Sequence, residues 1–199
     1  VDTFILSLSW SAKEVGWYSS ASLIINYLLL VPTVFFQAIF PVFSKLNISS
    51  KESLQQAYSI SFKYLLLLRF ALCVGTFVAA DSVTILLFGP GFDKTALALR
   101  ILGLSFFWVF GYVNGTLLIT TGGQNLITMF SGIAMGLTII ASLLLIPQWG
   151  LLGASLAHIL PGAIFFMPIV WICHKRLNLQ VPYLLATKAL IAALLMAGG

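Results

Sequence analysis

The side chains in this chain that can do chemistry are few, and most sit inside long apolar runs. Arg69 and Arg100 lie several residues inside such runs. A planar guanidinium grips phosphate oxygens two at a time, so these positions suit an anionic ligand such as a pyrophosphate. The same side chains are also long enough to snorkel to a membrane interface. His158 follows GASLA and precedes Pro161. It reads either as a hydrogen-bonded interior histidine or as a proton-coupling group, since imidazole ordinarily titrates near neutral pH. Asp81 reads as an interfacial cap or as an ion ligand. Asn26, Thr33, Gln37 and Ser44 recur at offsets that return to nearly one helical face. Arg100, Phe107, Asn114 and Thr121 are spaced in heptads, with Gly103 and Gly111 close to that face.

These stripes have two readings. One is helix packing through small residues and modest interhelical hydrogen bonds. Gly132-x-x-x-Gly136 suits that reading. The other is a hydrated cavity whose walls carry Asn26 and Gln37 on one helix and Arg100 and Asn114 on another. Polar groups are costly in lipid and turn toward a bundle interior or a wet space. Catalysis finds little support: paired carboxylates, a nucleophile–base pair and a phosphate-binding loop are all missing at usable spacing. His158 and His174 lack ligand companions, so we expect no metal and no cofactor. Cys73 and Cys173 read as small buried hydrophobes.

The elements that must position these residues are set by composition. The chain has 199 residues, 60% hydrophobic and 8% charged, with a mean hydropathy of +1.07. Globular proteins carry about 25% charged residues. Residues 15–44 contain no charged side chain. About twenty apolar residues cross the hydrocarbon core, so this run is long enough. The expected fold is all-α: a single multi-span transmembrane helix bundle. Its spans lie at about 19–43, 64–87, 95–120, 126–146, 151–172 and 183–199, and residues 1–10 end a preceding helix. Pro32 and Pro41 bend the first span without excluding it. Connections fall at 11–16, 45–63, 88–94, 121–125, 147–150 and 173–182.

The net charge of +5 would suggest nucleic acid in a soluble domain. Here the bases fall in the connections, where they set topology, and no nucleic-acid partner is expected. If the first span ends in the cytoplasm, Lys45, Lys51, Lys63, Lys175 and Arg176 are cytoplasmic. Asp2, Lys13, Glu14, Asp93 and Lys94 then lie on the opposite side. Both ends look cut, because the first residue is Val1 and the last two are glycines inside an apolar run.

Several stretches resemble the oligosaccharide flippases of the polysaccharide transporter family, within the multidrug/oligosaccharidyl-lipid/polysaccharide exporter superfamily. They are VGWYSSA (15–21), AIFPVFSKL (38–46), LLFGPGF (86–92) followed by LALRIL (97–102), and IPQWGLLGASLA (146–157). Their order is similar to that of the family's C-terminal half. The resemblance implies one six-helix half of a two-bundle exporter, in which the six spans are the eighth to thirteenth helices. It implies a cytoplasmic (inner) membrane location and partners in the lipid bilayer and the missing N-terminal half of the same chain. The implied activity is outward movement of undecaprenyl-pyrophosphate-linked oligosaccharide, commonly driven by an ion gradient. The family carries no catalytic motif to transfer. The alternatives are a multidrug or lipid-linked peptidoglycan-precursor exporter of the same superfamily and, from another class, a membrane-embedded glycosyl- or acyltransferase or a non-transporting membrane scaffold.

Overall fold

The computed structural model describes residues 2–177, and helix is the only regular structure among them. The helices are α1 (Asp2–Ser9), α2 (Ala12–Ser49), α3 (Lys51–Phe88), α4 (Asp93–Gly103), α5 (Val109–Thr120) and α6 (Gln124–Leu177). A 3₁₀ segment, Leu104–Trp108, joins α4 to α5. Four stretches are long and apolar enough to cross a membrane: Ala12–Ser49, Lys51–Phe88, Asp93–Thr120 and Gln124–Cys173.

Five of the six expected spans map onto these four. Residues 19–43 lie in α2, 64–87 in α3, and 95–120 across α4, the 3₁₀ segment and α5. Residues 126–146 and 151–172 share α6. Residues 183–199 lie outside the described residues. α6 is nevertheless broken at Gly150, whose φ of 53° and ψ of −124° are not helical. Glycine meets two demands there. Its φ is left-handed, and a Cβ would come within 2.8 Å of Glu14 Oε2 and 3.0 Å of the Trp10 ring. The Trp10 indole N–H donates to Ile146 O at 2.8 Å. In an unbroken helix that carbonyl would pair with the Gly150 N–H.

The connection expected over 45–63 is helical instead. α2 runs to Ser49, α3 starts at Lys51, and Ser50 alone makes the corner. Its backbone N–H closes α2 on Leu46 O at 3.0 Å, and its hydroxyl accepts from Ser53 N–H at 3.3 Å to cap α3. One serine thus satisfies both helix ends. At 1.5 Å per residue a 38-residue helix is about 57 Å long, well beyond a ~30 Å hydrocarbon core. Charged residues near the corner therefore stay helical in water. Ser11 caps α2 in the same way, accepting from Glu14 N–H at 3.4 Å.

The turns gather at two opposite ends. At one, Trp17 donates its indole N–H to Gly91 O at 2.8 Å, and Lys94 pairs with Glu14 at 3.4 Å. Lys13 and Lys94 lie 5.1 and 5.0 Å over the Trp17 ring. The Gly150 break joins them through Trp10. At the other end, Asn47 Nδ2 donates to Thr120 O at 3.1 Å, tying the Ser50 corner to the α5–α6 turn. Connections that alternate between two ends make an up-and-down bundle. Its core includes Ile25, Phe43, Tyr58, Leu65, Leu99, Phe106 and Leu117. The Gly132/Gly136 pair does not pack as expected, because no described atom lies within 4 Å of a Cβ built on either. Tight glycine contacts include Gly103 against Thr76, Gly111 against Phe166, Gly123 against Leu118, Gly153 against Leu145 O and Gly162 against Trp108.

Candidate transport site

A hydrogen-bonded polar group that joins α1, α2 and α6 is centred on Asp2. α1 places this carboxylate in the interior, 8% exposed, rather than in a connection as its charge suggested. Ser142 Oγ lies 2.8 Å from Asp2 Oδ1. The Tyr18 hydroxyl donates to Oδ2 at 3.2 Å, and His158 Nδ1 lies 3.3 Å from the same oxygen. Ser142 also reaches Thr138 O at 2.7 Å. The four side chains come from α1, α2 and both arms of α6. Asp2 and Ser142 are buried, whereas the His158 side chain is 44% exposed. The imidazole therefore extends the network of the buried carboxylate to an exposed edge of the bundle.

The meeting follows from counting residues. Asp2 lies eight residues before Trp10, Ser142 eight before Gly150, His158 eight after it, and Tyr18 seven after Ser11. Each turn residue is at the same end of the bundle. At 1.5 Å per residue all four groups lie about 10–12 Å below that end. Asp81 lies seven residues before the end of α3 and Arg100 seven after the start of α4, so they share this level. They form an ion pair, and Arg100 Nε also reaches Phe77 O at 3.4 Å. The Arg100 and Asp81 side chains are 33% and 59% exposed.

The other expected site residues are dispersed. Arg69 lies on α3 with its guanidinium 4.7 Å from the Phe70 ring and 5.4 Å from Phe107. Asn114 is 1% exposed; its Oδ1 accepts from the Tyr58 hydroxyl at 2.8 Å and its backbone carbonyl from Cys173 at 3.2 Å. The heptad stripe from Arg100 to Thr121 is not continuous, because the 3₁₀ segment interrupts it. Five residues at 3.0 per turn rotate the chain about 100° further than five α-helical ones. Arg100 and Asn114 meet different levels of α3: Arg100 pairs with Asp81, and Asn114 accepts from Tyr58, 23 residues earlier on that helix.

The α2 stripe does form one face. Ser19, Asn26, Thr33, Gln37 and Ser44 fall within about 40° of arc at 100° per residue. The buried residues of α2 (Tyr18, Ala21, Ile25, Pro32 and Phe43) centre about 110° round the helix from it, and Asn26, Thr33 and Gln37 are exposed. The polar face thus points away from the described bundle. Asn26 lines a groove of about 450 Å³ with Thr3, Ser19, Ser22, Leu23, Tyr27 and Leu30. Gln37 lies further along α2 and is exposed.

Residues 1–97 match the model of a family described as polysaccharide biosynthesis protein. The match covers 97 of 199 residues, just under half of the chain. No curated protein matches the chain. The matched part holds Asp2, Tyr18, the α2 stripe, Arg69 and Asp81; Arg100, Asn114, Ser142 and His158 lie beyond it. Of the stretches that carried the flippase resemblance, those at 15–21, 38–46 and 86–92 fall inside the match and that at 146–157 falls outside.

Reading the sequence alone missed Asp2, Tyr18 and Ser142. A lone acid two residues into the chain has the look of a loop charge. The signal that finds it is the shared offset of Asp2, Ser142 and His158 from turn residues that gather at one end.

Proposed function

We propose that this chain is part of a membrane transporter that moves a lipid-linked oligosaccharide across the cytoplasmic membrane for polysaccharide biosynthesis. The observation that carries the reading is the polysaccharide biosynthesis match over residues 1–97, made by helices long and apolar enough to cross a membrane. A sugar headgroup loses its hydration in hydrocarbon and needs a polar path, while its lipid tail stays in the bilayer. The α2 face supplies one wall of that path. The Trp17 end lies outside the cell and the Ser50 end, with Lys45 and Lys51, in the cytoplasm. No covalent step on the substrate is involved.

Within this reading the Asp2–His158 pair takes up and releases the driving ion. A proton is the simplest cargo, because the pair already joins a buried acceptor to an exposed imidazole. Asp81 is already matched by Arg100, so it has less call for a cation of its own. Arg69, beside Phe70 and Phe107, and Arg100, paired with Asp81, are the intramembrane guanidiniums that a passing pyrophosphate meets.

The test uses the full-length gene. A deletion strain accumulates lipid-linked sugar on the cytoplasmic leaflet, and the wild-type gene clears it. Asp2→Asn and His158→Gln each lower the clearing rate at least tenfold, about 1.4 kcal/mol in barrier. A deletion strain with normal leaflet distribution refutes the reading.

A further inference from the structure

We infer that the groove between α1 and α2 holds the uncharged sugar part of the substrate and leaves the anionic linkage to other residues. The inference rests on the transporter reading and names which chemical part of the cargo meets which surface. Asn26 lies fourteen residues into α2, about 21 Å along a helix that crosses the membrane, and so sits at mid-depth. Its amide makes no hydrogen bond to any described residue, and neither does that of Gln37 two turns and more beyond. An amide moved from water to hydrocarbon without a partner costs about 4–8 kcal/mol. Thr33, on the same face, illustrates the alternative: its hydroxyl closes on Leu29 O at 2.7 Å and needs nothing else. Neither amide takes such a local exit on this helix, so the face is suited to water or a hydrogen-bonding ligand.

The lining selects among ligands. Thr3, Ser19, Ser22 and Asn26 offer hydroxyl and amide groups that both donate and accept, as sugar hydroxyls do. Tyr27, 64% exposed, offers an aromatic face beside them. Leu23 and Leu30 suit the C–H faces of a pyranose ring. The lining has no Lys, Arg, Asp or Glu, so it gives a pyrophosphate nothing to pair with. The volume of about 450 Å³ falls inside the roughly 300–1,000 Å³ of small-molecule sites.

The experiment is cysteine protection in the full-length protein, reconstituted in vesicles in a cysteine-depleted background carrying Cys73→Ala. Ser22→Cys and Asn26→Cys should react with a membrane-impermeant maleimide. Oligosaccharides released by mild acid from the host's lipid-linked pool should slow that reaction, by about threefold at twice their Kd. Inorganic pyrophosphate should not. Adding Asn26→Leu to the Ser22→Cys protein should abolish the sugar protection while leaving labelling intact. Absence of labelling overturns the inference, because acyl chains or another helix then cover the face. Protection by pyrophosphate and not by the sugar also overturns it, as does protection by neither. The flippase reading fails separately, if the deletion strain traps no lipid-linked sugar; labelling and protection still decide the groove.

Discussion

The Asp2 group and the α2 stripe are both polar, both at membrane depth, and opposite in construction. Around Asp2, α2 and both arms of α6 bring a phenol, a hydroxyl and an imidazole to one carboxylate. Along the stripe, Asn26 and Gln37 carry comparable hydrogen-bonding capacity and point away from the same bundle. Tyr18 and Ser19 are neighbours in sequence, yet one faces the interior and the other the groove. A polar group that is satisfied inside the bundle fixes helices in place. One left open is available to something that comes and goes. Substitutions should therefore separate the two regions: the first registers in stability and in transport, the second in transport alone.

The largest expected loss of stability is at Asp2. Asp2→Ala removes an acceptor shared by three side chains, and interhelical hydrogen bonds in membranes average about 0.6 kcal/mol. We expect about 2 kcal/mol of destabilisation in detergent-titrated unfolding of the full-length protein. An unchanged midpoint would mean that the group contributes nothing to holding α1 against α6. Ser142→Ala should cost less, about 0.6 kcal/mol, because its bond to Asp2 is lost while the carboxylate keeps Tyr18 and His158. In the double variant the two losses should fall short of additive, since part of each is the same contact.

The Asp81–Arg100 pair sharpens the comparison because it lies at the Asp2 level but is partly exposed. A double-mutant cycle with Asp81→Ala and Arg100→Ala should give a coupling of about 0–1 kcal/mol if water reaches the pair. A coupling of several kcal/mol would place the pair against lipid or another helix, and would remove Arg100 from the set of cations a substrate can reach.

The contrast also explains how far the residues alone could be read. Helix class followed from the charge-free run at 15–44, and the turns at 88–92, 121–123 and 150 were marked by glycines that take positive φ at Gly89, Gly91, Gly122 and Gly150. The corner at Ser50 was hidden, because Lys51, Glu52 and Lys63 suggest a loop whereas a long helix simply carries them into water. The single face of Asn26 and Gln37 was legible because α2 keeps its period from end to end. The separation of Arg100 from Asn114 was not, since it comes from their partners on α3, Asp81 and Tyr58, which a heptad count on one helix does not reveal. The Asp2 group needed tertiary information: its members are up to 156 residues apart, and only the convergence of two turns at one end brings them to a common depth.

The smallest expected change in stability belongs to the stripe. Asn26→Leu and Gln37→Leu together remove two amides that no described side chain answers, so unfolding should shift by less than about 0.5 kcal/mol, as for surface substitutions generally. Transport should nevertheless fall at least tenfold, about 1.4 kcal/mol. The two readouts are informative only as a pair. If stability rose clearly while transport was kept, leucine would be the better residue for that face, and the face would belong to acyl chains. If stability fell with transport, the amides would be joining this bundle to another part of the protein. Only unchanged folding with lost transport is what an open, ligand-facing wall requires, and it is the outcome that sets this face apart from the satisfied carboxylate that Tyr18 of the same helix reaches.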